Sequence, residues 1–104
     1  MDTLCPVGPY ITTKDEISDP QNLIIKTKVN NELRQNESTS LMIHSIANQI
    51  SFLSKGITLE PGDVLATGTP QGVGKGFKPP KFLKQGDVIE ISIEGLGALK
   101  NRVQ

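Results

Sequence analysis

Tryptophan is absent from this 104-residue chain, and one tyrosine and three phenylalanines bring its aromatic content to only 4%. Aromatic side chains supply the largest buried areas in small cores. With 36% hydrophobic residues in all, the material for an independent core is thin. Net charge is missing too, because eleven basic side chains balance eleven acidic ones. That balance excludes the basic footprint of a nucleic-acid binder or of a protein drawn to an anionic membrane. No apolar run approaches the ~20 residues that cross a bilayer as a helix. The opening "MDTLCPVGPY" has neither the basic start nor the apolar stretch of a secretory signal. Cys5 is the one cysteine and His44 the one histidine, so neither an internal disulfide nor a Cys/His metal cluster can form. A reducing cytoplasm is the expected location, and Cys5, with no histidine near it, is expected to be packed rather than nucleophilic.

Short strands and turns dominate what is present. Pro6, Pro9 and Pro20 punctuate a loop-like start, in which Thr13 and Glu16 have the spacing of a capping box over one helical turn. "LIIKTKVNNELRQ" reads as a hairpin: Leu23, Ile25, Thr27 and Val29 share a face, Asn30-Asn31 tolerates the positive φ of a tight turn, and Glu32 to Gln35 returns. Ile43, Ile46, Ile50 and Leu53 space one apolar stripe of an amphipathic helix at about residues 40–54. Thr39 or Ser40 suits its N-cap and Gly56 its C′ position. "LEPGDVL" and "LKQGDVI" echo each other as glycine turns that feed apolar strands, Asp63–Thr67 and a second after Asp87. In the second, Ile89, Ile91 and Ile93 alternate with Glu90, Ser92 and Glu94, and after "GLG" Ala98–Val103 pairs back. The fold class is α+β, β-rich, in a single domain over 1–104.

The chemistry concentrates in "DVLATGTPQGVGKG", Asp63–Gly76. A phosphate loop needs a hydroxyl after Gly74-Lys75 and a glycine five residues before Gly74, but Gly76 and Thr69 stand there. The dinucleotide pattern fails at Phe77, and Pro79-Pro80 forbids the helix that either loop would open. Gly68-Thr69-Pro70 is the surviving candidate. Glycine admits close approach, threonine offers a backbone N–H and a hydroxyl, and proline stiffens the turn. Such a turn can hold a carboxylate or enolate oxygen. A plain glycine-rich connection between strands stays open on these residues alone. His44 reads as a surface or interface histidine, and Asp63 and Asp87 as turn residues.

Four stretches in this order and spacing carry a resemblance: "DTLCPVGPYITTKDEISDPQNL", "VNNELRQNESTSLMI", "LEPGDVLATGTPQGVG" and "GDVIEISIEGLGALKNRV". Together they resemble the C-terminal portion of the fumarylacetoacetate hydrolase family, with its mixed β-roll/sandwich fold. "KPPKFLKQGD" is most similar to the domain-containing protein 2 branch, close to 2-hydroxyhepta-2,4-diene-1,7-dioate isomerases. Asn31 departs from the glycine common in the family's hairpin turn, and His44 from an aromatic.

The resemblance implies hydrolysis, decarboxylation or tautomerisation of small 1,3-dicarbonyl, diketo or 2-oxo acids, with Mg²⁺ or another divalent cation as Lewis acid. It maps the substrate contact onto Gly68, Thr69 and Pro70, and the pocket edge onto Asp2 and Thr3. The family's Glu-x-Glu pair, later aspartate, lid His-Glu pair and active-site lysine have no counterpart here; in the family they lie upstream. No metal ligand and no catalytic acid or base is therefore expected among these residues. The chain is expected to form one wall of an active site, inactive alone, with a second copy in a homodimer or a missing N-terminal half as its partner. Its expected location is the cytoplasm, with the mitochondrion as the alternative for a eukaryotic fragment. The competing expectation is a non-catalytic remnant or an assembly module.

Overall fold

Asn30 and Asn31, with φ of 49° and 68°, turn the chain through the left-handed region that asparagine tolerates better than most residues. Strands β1 (Ile24–Val29) and β2 (Glu32–Ser38) leave that turn as an antiparallel hairpin. The computed structural model describes residues 3–104. Strands β3 (Val88–Ile93) and β4 (Gly97–Arg102) complete a four-stranded antiparallel sheet in the order β2-β1-β3-β4. Ile25, Thr27 and Val29 face Ile93, Ile91 and Ile89 across the β1–β3 ladder, so all six share one face. Val29, 8% exposed, is the buried hydrophobic residue among those described. β2 runs three residues beyond the expected Gln35. Its register shifts, because Gln35 pairs with Thr27 but Leu33 pairs with Lys28, leaving Arg34 as an extra, bulged residue.

The two echoing turns share one geometry. Gly62 and Gly86 have φ of 102° and 89°, and Asp63 and Asp87 each accept a backbone N–H three residues back, from Glu60 at 2.9 Å and Lys84 at 2.8 Å. Only the second feeds a strand. Asp63–Thr67, expected as a strand, has no ladder partner among the described residues, and Val64 is 78% exposed. A strand exists through its neighbour's hydrogen bonds, so an apolar extended run without a neighbour remains a loop.

The helix is shorter than its apolar spacing predicts. α1 spans Ile46–Leu53, capped by Ser45, whose side chain accepts from Asn48 N. Thr39 and Ser40 lie instead in a 3-10 turn capped by Ser38. Thr39 is engaged elsewhere: its hydroxyl accepts from Leu23 N at 2.9 Å and donates to Pro20 O at 2.8 Å. Gln21 then bridges Thr39 O and Ile46 N, so residues 39–45 are tied to the incoming chain and cannot wind into the helix. Ile43 falls outside it at 94% exposure, and Gly56 is not in the left-handed conformation that its C′ role would need. Lys14–Glu16 forms a turn rather than a helix, closed by Glu16 N on Thr13 O.

The accessible surface is 8490 Å², where a folded monomer of 11.2 kDa exposes about 5,700 Å². The radius of gyration is 15.1 Å, against about 13 Å for a compact chain of this length. Cys5, expected to be packed, is exposed. The sheet is therefore a platform with little covering it.

Asn30 joins the hairpin turn to the second glycine turn by donating to Asp87 Oδ1 and accepting from Val88 N. The Lys84 N–H, and then the Asn30 amide, hold the Asp87 carboxyl below its ordinary value. A depressed folded value means that stability is present above the unfolded value, about 3.9, and is lost as pH falls through the folded one. The stability difference between wild type and Asp87→Asn, measured as a denaturation midpoint, should be flat above about pH 5 and shrink below about pH 4. A difference unchanged down to about pH 2 would contradict this assignment.

Candidate functional site

β2 is an edge strand, and its outer side is where the glycine-rich segment docks. A Cβ on Gly72 would lie 2.0 Å from the Arg34 carbonyl oxygen, so only glycine allows this approach, and its φ of 103° favours glycine as well. The bulge at Arg34 sets what faces the docked segment. Side chains alternate along a strand, and the extra residue puts Gln35 and Glu37 on the same face as Thr27 and Ile25. Gln35 Nε2 donates to Thr69 Oγ1 and to Pro70 O, both at 2.9 Å. Glu37 accepts from Gln71 Nε2 at 2.7 Å. Farther along, Glu32 pairs with Arg34 at 3.1 Å and with Lys81, and both cations lie over the Phe77 ring, 5.1 and 4.9 Å from its centroid. The Lys81 hydrogen bond, ahead of the Arg34 charge, holds the Glu32 carboxyl below its ordinary value.

Two hollows flank this docking line. The larger, about 630 Å³, is lined by Ile25 and Glu37 of the sheet, Leu41–His44 of the connection, and Thr67–Gln71. The second, about 510 Å³, lies towards Arg34, Lys75 and Lys81, and Thr69 lines both. Among the described residues the backbone N–H groups of Gly68 and Thr69 donate to no protein acceptor, and neither does the Thr69 hydroxyl. A rigid turn thus offers unspent donors at the wall of an open, largely apolar hollow. Such a wall can receive an oxygen that carries or gains negative charge.

A family model described as fumarylacetoacetate (FAA) hydrolase C-terminal matches residues 1–104. The chain belongs to the fumarylacetoacetate hydrolase family. It is similar to oxaloacetate tautomerase YisK of Bacillus subtilis (strain 168), with 55% identity over 103 residues, which are 99% of this chain and 34% of that one. Among solved structures, a fumarylacetoacetate hydrolase from Exiguobacterium antarcticum superposes with a TM-score of 0.96 and 52% identity, over 100% of this chain and 37% of that one. A maleylpyruvate hydrolase from Sphingobium sp. SYK-6, solved with manganese(II) and pyruvate, gives 0.88 and 44%, over 98% and 36%. The chain spans about a third of the length of these relatives.

Within this family member the expected site residues separate. Gly68, Thr69 and Pro70 stand together on the larger hollow. Thr3 is exposed with a φ of 65° and lines neither hollow, and Asp2 lies outside the described residues. Gln35 and Glu37 were not singled out from sequence, because their orientation depends on a bulge that no motif marks. His44, read as a surface histidine, is exposed on the rim of the larger hollow. Among the described residues, no three of His, Cys, Asp and Glu are grouped to hold a metal ion. Glu37 is the one carboxylate lining the larger hollow, and Gln71 engages it. These residues do not make a metal site.

Gly68 and Gly72 separate strain from collision, since both have positive φ but a Cβ on Gly68 meets nothing within 4 Å. Gly68→Ala should cost about 1–3 kcal/mol through backbone strain, with the turn still docked. Gly72→Ala should lift the turn off β2, read as faster amide hydrogen exchange over residues 68–74. Exchange unchanged in Gly72→Ala would show that the close approach does not hold the turn.

Proposed function

We propose that the chain forms one wall of the active site of an enzyme acting on small 2-oxo or 1,3-dicarbonyl acids, with the Gly68-Thr69-Pro70 turn as its substrate-facing lip. The observation that carries this reading is the turn itself, with unspent donors at Gly68 and Thr69 on the larger hollow and a clamp from Gln35 behind it. The similar tautomerase and hydrolase, named for oxaloacetate and maleylpyruvate, support an oxo-acid substrate. In keto–enol interconversion, and in the C–C cleavages related to it, a carbonyl oxygen takes on enolate charge. Donors fixed before that charge develops need no reorganisation to stabilise it. The Thr69 hydroxyl and the neighbouring backbone N–H groups are those donors. Ile25, Leu41 and Met42 give the hollow around them an apolar lining.

A divalent cation, Mg²⁺ in our reading, supplies Lewis-acid polarisation in such chemistry. The manganese in the maleylpyruvate hydrolase structure supports a divalent ion. Its ligands and the general base belong to polypeptide outside the 104 residues, which the relatives' greater length supports. The surface of 8490 Å² supports a partner as well, either a second copy in a homodimer or that further polypeptide. The same surface favours a second reading, an assembly module without catalysis.

A chimera separates the two. This chain should replace its matching segment in the Bacillus subtilis oxaloacetate tautomerase, and the product be assayed with oxaloacetate and Mg²⁺. We expect tautomerase activity in the chimera and none in the chain alone. Thr69→Val should lower kcat/KM by about 10- to 100-fold, the range for losing a hydrogen bond to a charged oxygen. A folded chimera with no activity would favour the assembly module, and activity of the chain alone would refute the need for further polypeptide.

A further inference from the structure

Gln35 sits behind the lip rather than in it. Its amide has two N–H donors and one acceptor oxygen. Pro70 O can only accept, so its 2.9 Å contact fixes the NH₂ end of the amide towards the turn. The other contact of the same nitrogen, 2.9 Å to Thr69 Oγ1, is then also a donation from Gln35. A threonine hydroxyl has one proton and two lone pairs, and here a lone pair is occupied from the sheet side. The Thr69 proton cannot point at a donor, and it has no protein acceptor among the described residues. It is left for whatever occupies the hollows that Thr69 lines, of which the larger also holds Gly68 and Pro70. The Arg34 bulge makes this possible, because without the extra residue Gln35 would face the opposite side of the sheet.

We propose that Gln35 is a positioning residue that makes Thr69 meet a bound oxo acid as a hydrogen-bond donor. The proposal rests on the substrate-facing reading of Thr69. A hydroxyl free to rotate could also accept, and it would then pay to reorient each time an anion bound. One held from behind is poised for an oxyanion.

A double-mutant cycle on the chimera tests this, with oxalate as a non-reacting mimic of the enolate form and its dissociation constant in Mg²⁺ buffer as the readout. Thr69→Val is expected to weaken oxalate by about tenfold or more, and Gln35→Leu by about three- to tenfold. The double variant is expected to be no weaker than Thr69→Val alone, because Gln35 acts through that hydroxyl. Losses that multiply in the double variant would overturn the proposal, as would a Gln35→Leu affinity equal to wild type while Thr69→Val binds weakly. An unchanged affinity in Thr69→Val would overturn the reading of the lip, and this inference with it.

Gln35→Glu, nearly the same shape, decides the matter should Gln35→Leu fail to fold by thermal melting. Its carboxylate would accept the Thr69 O–H hydrogen bond, so oxalate should bind much more weakly at about pH 7 than near pH 4, relative to wild type. A ratio independent of pH would overturn the proposal.

Discussion

The backbone of Gly72 lies so close to the Arg34 carbonyl that no side chain fits between them, and what the chain offers as a site depends on that approach. It brings a segment without a strand or an α-helix of its own against the edge of β2. Loops acquire precision from the scaffold beneath them. Here the scaffold contributes a bulge that turns Gln35 and Glu37 towards the loop, and the Gln35 amide and Glu37 carboxylate fasten it. The Glu32–Arg34–Lys81 cluster around Phe77 holds the far end. Individually such ion pairs are weak where they are exposed, as they are at Glu32 and Lys81. Arranged along one strand edge, they hold the segment around Phe77 and Lys81, while Gln35 holds Thr69.

Little of this is sealed from water. Ile11, Ile43, Phe52 and Val64 are each at least three-quarters exposed. A chain with so much apolar surface gains little from burial to set against the entropy of ordering. Further polypeptide packed on the sheet would supply that burial and shield the hollow at once. Stability and the proposed catalysis would then share one requirement, which would explain a proposed lip on a platform with no grouped metal ligands among its described residues.

Sequence reasoning reached what local chemistry determines. Asn30-Asn31 announced the hairpin, the repeated Gly-Asp turns were legible from spacing, and alternating isoleucines marked β3. It failed where a distant partner decides. The apolar run Asp63–Thr67 looks like a strand, yet pairing is a property of two segments. The stripe at Ile43, Ile46, Ile50 and Leu53 looks helical from its first member, but Thr39 and Gln21 are bound to the incoming chain, so Ser45 opens the helix. At the site, glycine and threonine chemistry drew attention to Gly68–Pro70. Gln35 stayed invisible, because one unpaired residue in β2 reverses its direction and leaves no mark in composition or spacing.

The central claim is that the Gly68-Thr69-Pro70 turn meets the substrate through a hydroxyl held from behind. The most direct measurement is a crystal structure of the active chimera with oxalate bound. A ligand oxygen should lie about 2.7 Å from Thr69 Oγ1, on the side away from Gln35, with the Gln35–Thr69 contact intact. Oxalate seated elsewhere in the enzyme, with Thr69 hydrogen-bonded only to solvent, would contradict the account.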